Sequence, residues 1–118
     1  MTRPYNLEDP TIVRPVMQSN MKFGVLSVKT AAAYTVDVAS PPIIMIDPTG
    51  GAHDVLLPPE AEGLVYWIFN LHATNDLTLK NDANAALDGA EIVNAKEAVM
   101  AVCDATTWRA FKMTLATS

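Results

Sequence analysis

From Ala33 to Met113 the chain never sustains an apolar run longer than one strand before a turn-forming residue interrupts it. This punctuation constrains the fold more than any other feature. A core helix wants a longer stretch with 3.6-residue periodicity, whereas short runs bounded by Pro, Gly, Asn and Asp suit strands. Tyr34-Thr35-Val36-Asp37-Val38 alternates in period two, and Ile43-Ile44-Met45-Ile46-Asp47 follows Pro41-Pro42. In Asp47-Pro48-Thr49-Gly50-Gly51 one φ is fixed by proline and the glycines accept positive φ. That reversal leads into His53-Asp54-Val55-Leu56-Leu57, and the two runs together predict a hairpin.

After the break at Pro58-Pro59 comes Leu64-Val65-Tyr66-Trp67-Ile68-Phe69, the most apolar stretch of the chain. Its aromatic and β-branched content predicts a strand. Successive side chains of a strand point to opposite faces, so a run apolar throughout must be covered on both. One cover is the domain core; the other is a further part of the chain or another subunit. Tyr66 and Trp67 are therefore candidate subunit contacts. Leu77-Thr78-Leu79-Lys80 alternates again, and Val99–Cys103 and Trp108–Met113 flank Asp104-Ala105-Thr106-Thr107 as a second predicted hairpin. Between residues 83 and 101 the alanine content permits a helix, while Asp88-Gly89, Ile92 and Val93 favour extended chain. Roughly eight short strands at this spacing predict an all-β fold, a compact β-sandwich or barrel-like module.

The first thirty residues differ. Pro4, Pro10 and Pro15 deny a helix its amide donors and disfavour a central strand. Yet Tyr5, Leu7, Ile12, Val13, Met17, Met21 and Phe23 make the segment too apolar for a solvated linker. The expected division is an extended N-terminal arm over residues 1–30 and a β domain over 31–118, with Tyr5, Leu7, Ile12, Val13 and Met17 as candidate contacts to a partner.

Half of the 118 residues are apolar and 18% are charged, and the mean hydropathy is +0.17. A domain this small has much surface for its volume, so that content points to self-association. A net charge of -5 with scattered Lys and Arg argues against nucleic acid and against an anionic membrane surface, both of which need clustered cations. No run approaches a membrane span, and the N-terminal residues contain no apolar signal core. Cys103, the one cysteine, sits in an apolar run and reads as a small core residue made in a reducing cytoplasm.

The residue types of catalysis are sparse. His53 and His72 belong to no metal-binding spacing, and Ser19, Ser27, Ser40 and Ser118 to no nucleophile elbow. No glycine-rich phosphate loop is present. Glu60 and Glu62 read as loop charge, and Asp82-Ala83-Asn84 with Asp88-Gly89 fails the calcium-loop pattern at Ala86. Trp67 and Trp108, set among apolar neighbours, read as packing residues before a sugar platform. The expectation is a non-enzymatic protein without metal or cofactor.

The ordered set Ile46-Asp47-Pro48-Thr49-Gly50-Gly51, Asp54-Val55-Leu56-Leu57-Pro58, Glu62-Gly63-Leu64 before an apolar strand ending in Asn70, Leu77-Thr78-Leu79 and Asp104-Ala105-Thr106-Thr107-Trp108 resembles small β modules of tailed-phage virions. These occur as head decoration (cement) proteins and within fibre and spike proteins. The likeness spans about Tyr34 to Met113. It departs at Ala105, where the pattern carries Gly and a less positive φ is expected, and in the alanine-rich region before Ala101. The resemblance implies a viral structural protein, a homotrimer bound through its arm to the major capsid protein on the outer surface of the head. The alternative is a receptor- or glycan-binding module of a tail fibre or spike.

Overall fold

The computed structural model describes residues 22–89 and 91–113. The described residues form ten strands and no helix: β1 (Val25–Thr30), β2 (Tyr34–Thr35), β3 (Ile43–Pro48), β4 (His53–Leu56), β5 (Val65–Asn70), β6 (Leu77–Lys80), β7 (Asp88–Gly89), β8 (Ile92–Val93), β9 (Ala98–Cys103) and β10 (Trp108–Met113). They make two sheets, a six-stranded one in the order β1-β3-β5-β9-β10-β7 and a four-stranded one in the order β2-β4-β6-β8. The fold is an all-β, sandwich-like module.

The chain winds before it folds back. From β1 to β6 consecutive strands alternate between the sheets, and within each sheet they run parallel: β1 with β3 and β3 with β5 on one side, β2 with β4 and β4 with β6 on the other. β9 then enters antiparallel to β5, and β10 pairs antiparallel with β9. The Asp47–Gly51 reversal is therefore not a hairpin turn. It carries the chain from β3 in one sheet to β4 in the other, with Gly50 at φ 80° and Gly51 at φ 141°. The expected second hairpin is present, as β9 and β10, with Trp108 opposite Cys103.

The β domain also starts before residue 31. Val25–Thr30 pairs along its whole length with Ile43–Pro48, so the last six residues assigned to the arm are a strand of the larger sheet, at its edge among the described residues. The stretch from 83 to 101 holds β7, β8 and the start of β9, with Asn84 ahead of β7 and Lys96 between β8 and β9 at positive φ.

Alternation fills the space between the sheets. Ile44, Ile46, Ile68, Val99 and Trp108 point inward from the larger sheet, against Val55, Leu57, Leu77, Leu79 and Val93 from the smaller one and its flanks. Each such side chain, fully buried, contributes roughly 1.5–3 kcal/mol of transfer free energy. Cys103 lies among them as a buried free thiol. Trp108 is 1% exposed; its Nε1 donates to Pro58 O at 3.0 Å, and its ring lies 6.0 Å from that of Tyr66. The Leu57-Pro58 turn and the final strand are thus tied by a buried hydrogen bond.

Candidate interaction face

The period-two alternation of β5 separates the two residues nominated as subunit contacts. Tyr66 faces inward and is 2% exposed, and its hydroxyl donates to Asp37 O at 3.1 Å. Burial, and secondarily the Asp37 carboxylate, raise the Tyr66 hydroxyl above its usual range. Tyr66 is a core residue and is corrected here as an interface candidate. Trp67, its neighbour, lies on the outer face of the larger sheet.

That face is apolar across five strands. Strand register aligns Val25, Ile43, Trp67, Met100 and Phe111 in one row. The adjacent row runs Ser27, Met45, Phe69, Ala98 and Met113. Val25 and Phe111 are more than half exposed, at 54% and 53%. In a one-layer-covered sheet these outward positions would ordinarily be polar; a contiguous apolar patch instead marks a contact surface. Phe23 reaches over it, with its ring 5.8 Å from that of Trp67 and tilted by 38°. Beside this pair lies an open groove of about 520 Å³ lined by Ile43, Trp67, Phe69, Leu71, Ala98 and Met113, among others. Lys96 and Glu97 are its charged lining residues, and Glu97 is 3.5 Å from Lys112 Nζ.

The polar residues singled out in the sequence shape turns. His53 Nε2 lies 2.7 Å from Thr49 O. His72 Nδ1 accepts from the amides of Thr74 and Asn75 at 3.0 and 2.9 Å, which identifies Nδ1 as the unprotonated nitrogen. Asn81 Oδ1 accepts from Ala83 N and Ala85 N at 2.9 and 2.8 Å, so this side chain organises the loop that faintly resembled a calcium site. Asp104 accepts from the amides of Thr106 and Thr107 through Oδ1 and from Arg109 Nε through Oδ2. The Arg109 bond foremost, then the two amides, hold its carboxyl below the usual range. Among the described residues, no three His, Cys, Asp or Glu side chains are grouped to hold a metal ion, and no helix is long and apolar enough to cross a membrane.

No family model, curated protein or solved structure matches this chain. Its contact chemistry is read from the face itself. Tyr5, Leu7, Ile12, Val13 and Met17 lie outside the described residues. The breadth of the outer face was not foreseen: only Leu64–Phe69 was recognised as apolar on both sides. The outward Ile43, Met45, Met100 and Phe111 carry the same signal on β3, β9 and β10.

Proposed function

We propose that this chain is a non-enzymatic structural protein of a tailed-phage virion, a decoration (cement) protein that binds the major capsid protein on the outer surface of the head. The observation that carries the reading is the apolar outer face around Trp67, adjoining the point where the N-terminal segment meets the fold. A module built to clamp other subunits needs apolar area outside its own core, and this sheet supplies it. The ordered turn and strand motifs resembling head decoration proteins give the face its proposed partner. Residues Tyr5, Leu7, Ile12, Val13 and Met17 make capsid contacts, and three copies meet through their outer faces on the head. Contacts spread over several capsid subunits oppose the separation of those subunits when the packed genome presses outward.

The test is co-sedimentation of the purified chain with phage heads stripped of accessory proteins, followed by cross-linking on the head. Saturable binding at a fixed ratio to the capsid protein, cross-linked trimers, and loss of binding in Trp67→Asp are expected. Binding to host cells or a glycan array without binding to heads would replace this reading with the fibre or spike module.

A further inference from the structure

We infer that two copies of the free chain pair through their larger sheets, each outer face covering the Trp67 side of the other. This concerns the protein before it meets any partner, and it stands whether or not that partner is a phage head. A head would compete with the second copy for the same face.

The two sides of the sandwich differ. In the smaller sheet the outward row Thr35, Leu56 and Lys80 and its neighbour Asp54, Thr78 and Ile92 mix polar with apolar residues, as water-facing strands do. In the larger sheet neither outward row, from Val25 to Phe111 or from Ser27 to Met113, carries a charge. Apolar area outside the core is thus gathered on one side. Charge then selects the occupant. Each copy has a net charge of -5, so copies repel where their acidic surfaces approach, and the uncharged face is where that repulsion is least. Meeting about a two-fold axis, two such molecules hide both faces at once, and the assembly closes.

Area and relief agree. The five strands that carry these rows are each six residues long and together span about 25 Å by about 20 Å. Pairing therefore covers about 1,000 Å² in total, at the lower limit for a specific interface. Such a pair is reversible, with a dissociation constant on the order of micromolar. The face is not flat. Ala98 lies between Phe69 and Met113 in its row, and its short side chain lines the groove. Val25 and Phe111, more than half exposed, offer knobs. A hollow and knobs on one face let two sheets interdigitate at the usual spacing of about 10 Å.

The test is sedimentation equilibrium of the full-length chain over a range of concentrations. The mass should climb from 12.7 kDa toward twice that value. Phe111→Asp and, on the opposite side of the same row, Val25→Asp place a charge at exposed positions, and each should raise the dissociation constant at least tenfold with an unchanged urea midpoint of the monomer. Two variants at separate strands keep the test open if one fails to fold. Ile92→Asp removes an apolar residue of similar exposure, 45%, from the other sheet and should leave pairing intact. A chain of 12.7 kDa at every concentration overturns the inference, as does a mass that settles at three times that value. Pairing that survives both Phe111→Asp and Val25→Asp overturns it too, because the contact then lies elsewhere. A chain that pairs yet does not bind heads sinks the capsid reading alone, and a monomer that binds heads sinks this inference alone.

Discussion

Asn70 offers the sharpest test of how the two sheets are held together. It closes β5 with its side chain turned inward and is 2% exposed. Its Nδ2 donates to Asn75 O at 2.8 Å and to Val93 O at 3.0 Å, and its Oδ1 accepts from His72 N at 3.0 Å. Val93 belongs to the smaller sheet, so this one amide joins the sheets through the core. Asn70→Leu keeps the branched shape and the number of side-chain heavy atoms and leaves three backbone groups without their partner, at about 1–3 kcal/mol each when water cannot replace it. Burial of the new apolar side chain returns about 1–2 kcal/mol. Only the Val93 bond is buried and the other two are part-buried, so water offsets part of the loss and the expected net is about 2–4 kcal/mol, a large share of the 5–15 kcal/mol typical of a whole domain. With a urea slope near 1–1.5 kcal/mol/M, the midpoint should fall by about 1.5–4 M.

Asn70→Asp adds a sign to the same argument. A carboxylate oxygen would replace Nδ2 and face two carbonyl oxygens, so the folded state favours the protonated acid and its pKa rises above the unfolded value of about 3.9. As pH rises past that value the unfolded chain releases its proton first, and stability falls until the folded pKa is passed. Relative to wild type, the aspartate variant should therefore be closest at pH 3.5 and weakest at pH 7. Urea unfolding followed by tryptophan emission reads both variants. A leucine variant within about 0.5 kcal/mol of wild type, or an aspartate penalty independent of pH, would refute the bridging role.

Two predictions concern the β9–β10 turn. Asp104→Ala should lower the melting temperature at pH 7. Because the folded pKa is depressed, the contribution is present above the unfolded pKa and lost as pH falls through the folded one. Melting curves from pH 7 down to pH 2 should therefore converge with wild type. Ala105 keeps φ at 92°, not the less positive value its side chain suggested. Ala105→Gly should raise stability by about 0.5–1 kcal/mol, since the strain of a Cβ at positive φ exceeds glycine's extra unfolded-state entropy; thermal melts check it.

Strand identity was legible wherever side chains alternate against turn residues. Leu77–Lys80 and Trp108–Met113 have the boundaries the pattern predicts. Partnership was not. Asp47–Gly51 encodes a change of direction, and the same residues serve a hairpin or a step between sheets. What separates the two is pairing with strands far along the chain, Val25 with Ile43 and Ile43 with Trp67, which leaves no mark in the turn. β1 escaped notice for a related reason. Val25, Leu26 and Val28 are a modest β pattern, and the prolines upstream lent their character to the whole segment. The candidate face was half visible: alternation dictates that Tyr66 and Trp67 diverge, yet only the position of the core says which one is left outside.

The winding of β1 to β6 has a consequence for how a chain like this can change over generations. At its C-terminal side the ladder is closed, because β9 lies against β5 in the reverse direction and no further parallel turn can be stacked there. At the other side, among the described residues, β1 and β2 are the last strands of their sheets, with parallel neighbours that a duplicated upstream turn could extend in kind. The successive turns already differ in length between aligned residues, so the spacers tolerate revision while the strands hold register. Such a scaffold is elongated from its beginning and fixed at its end.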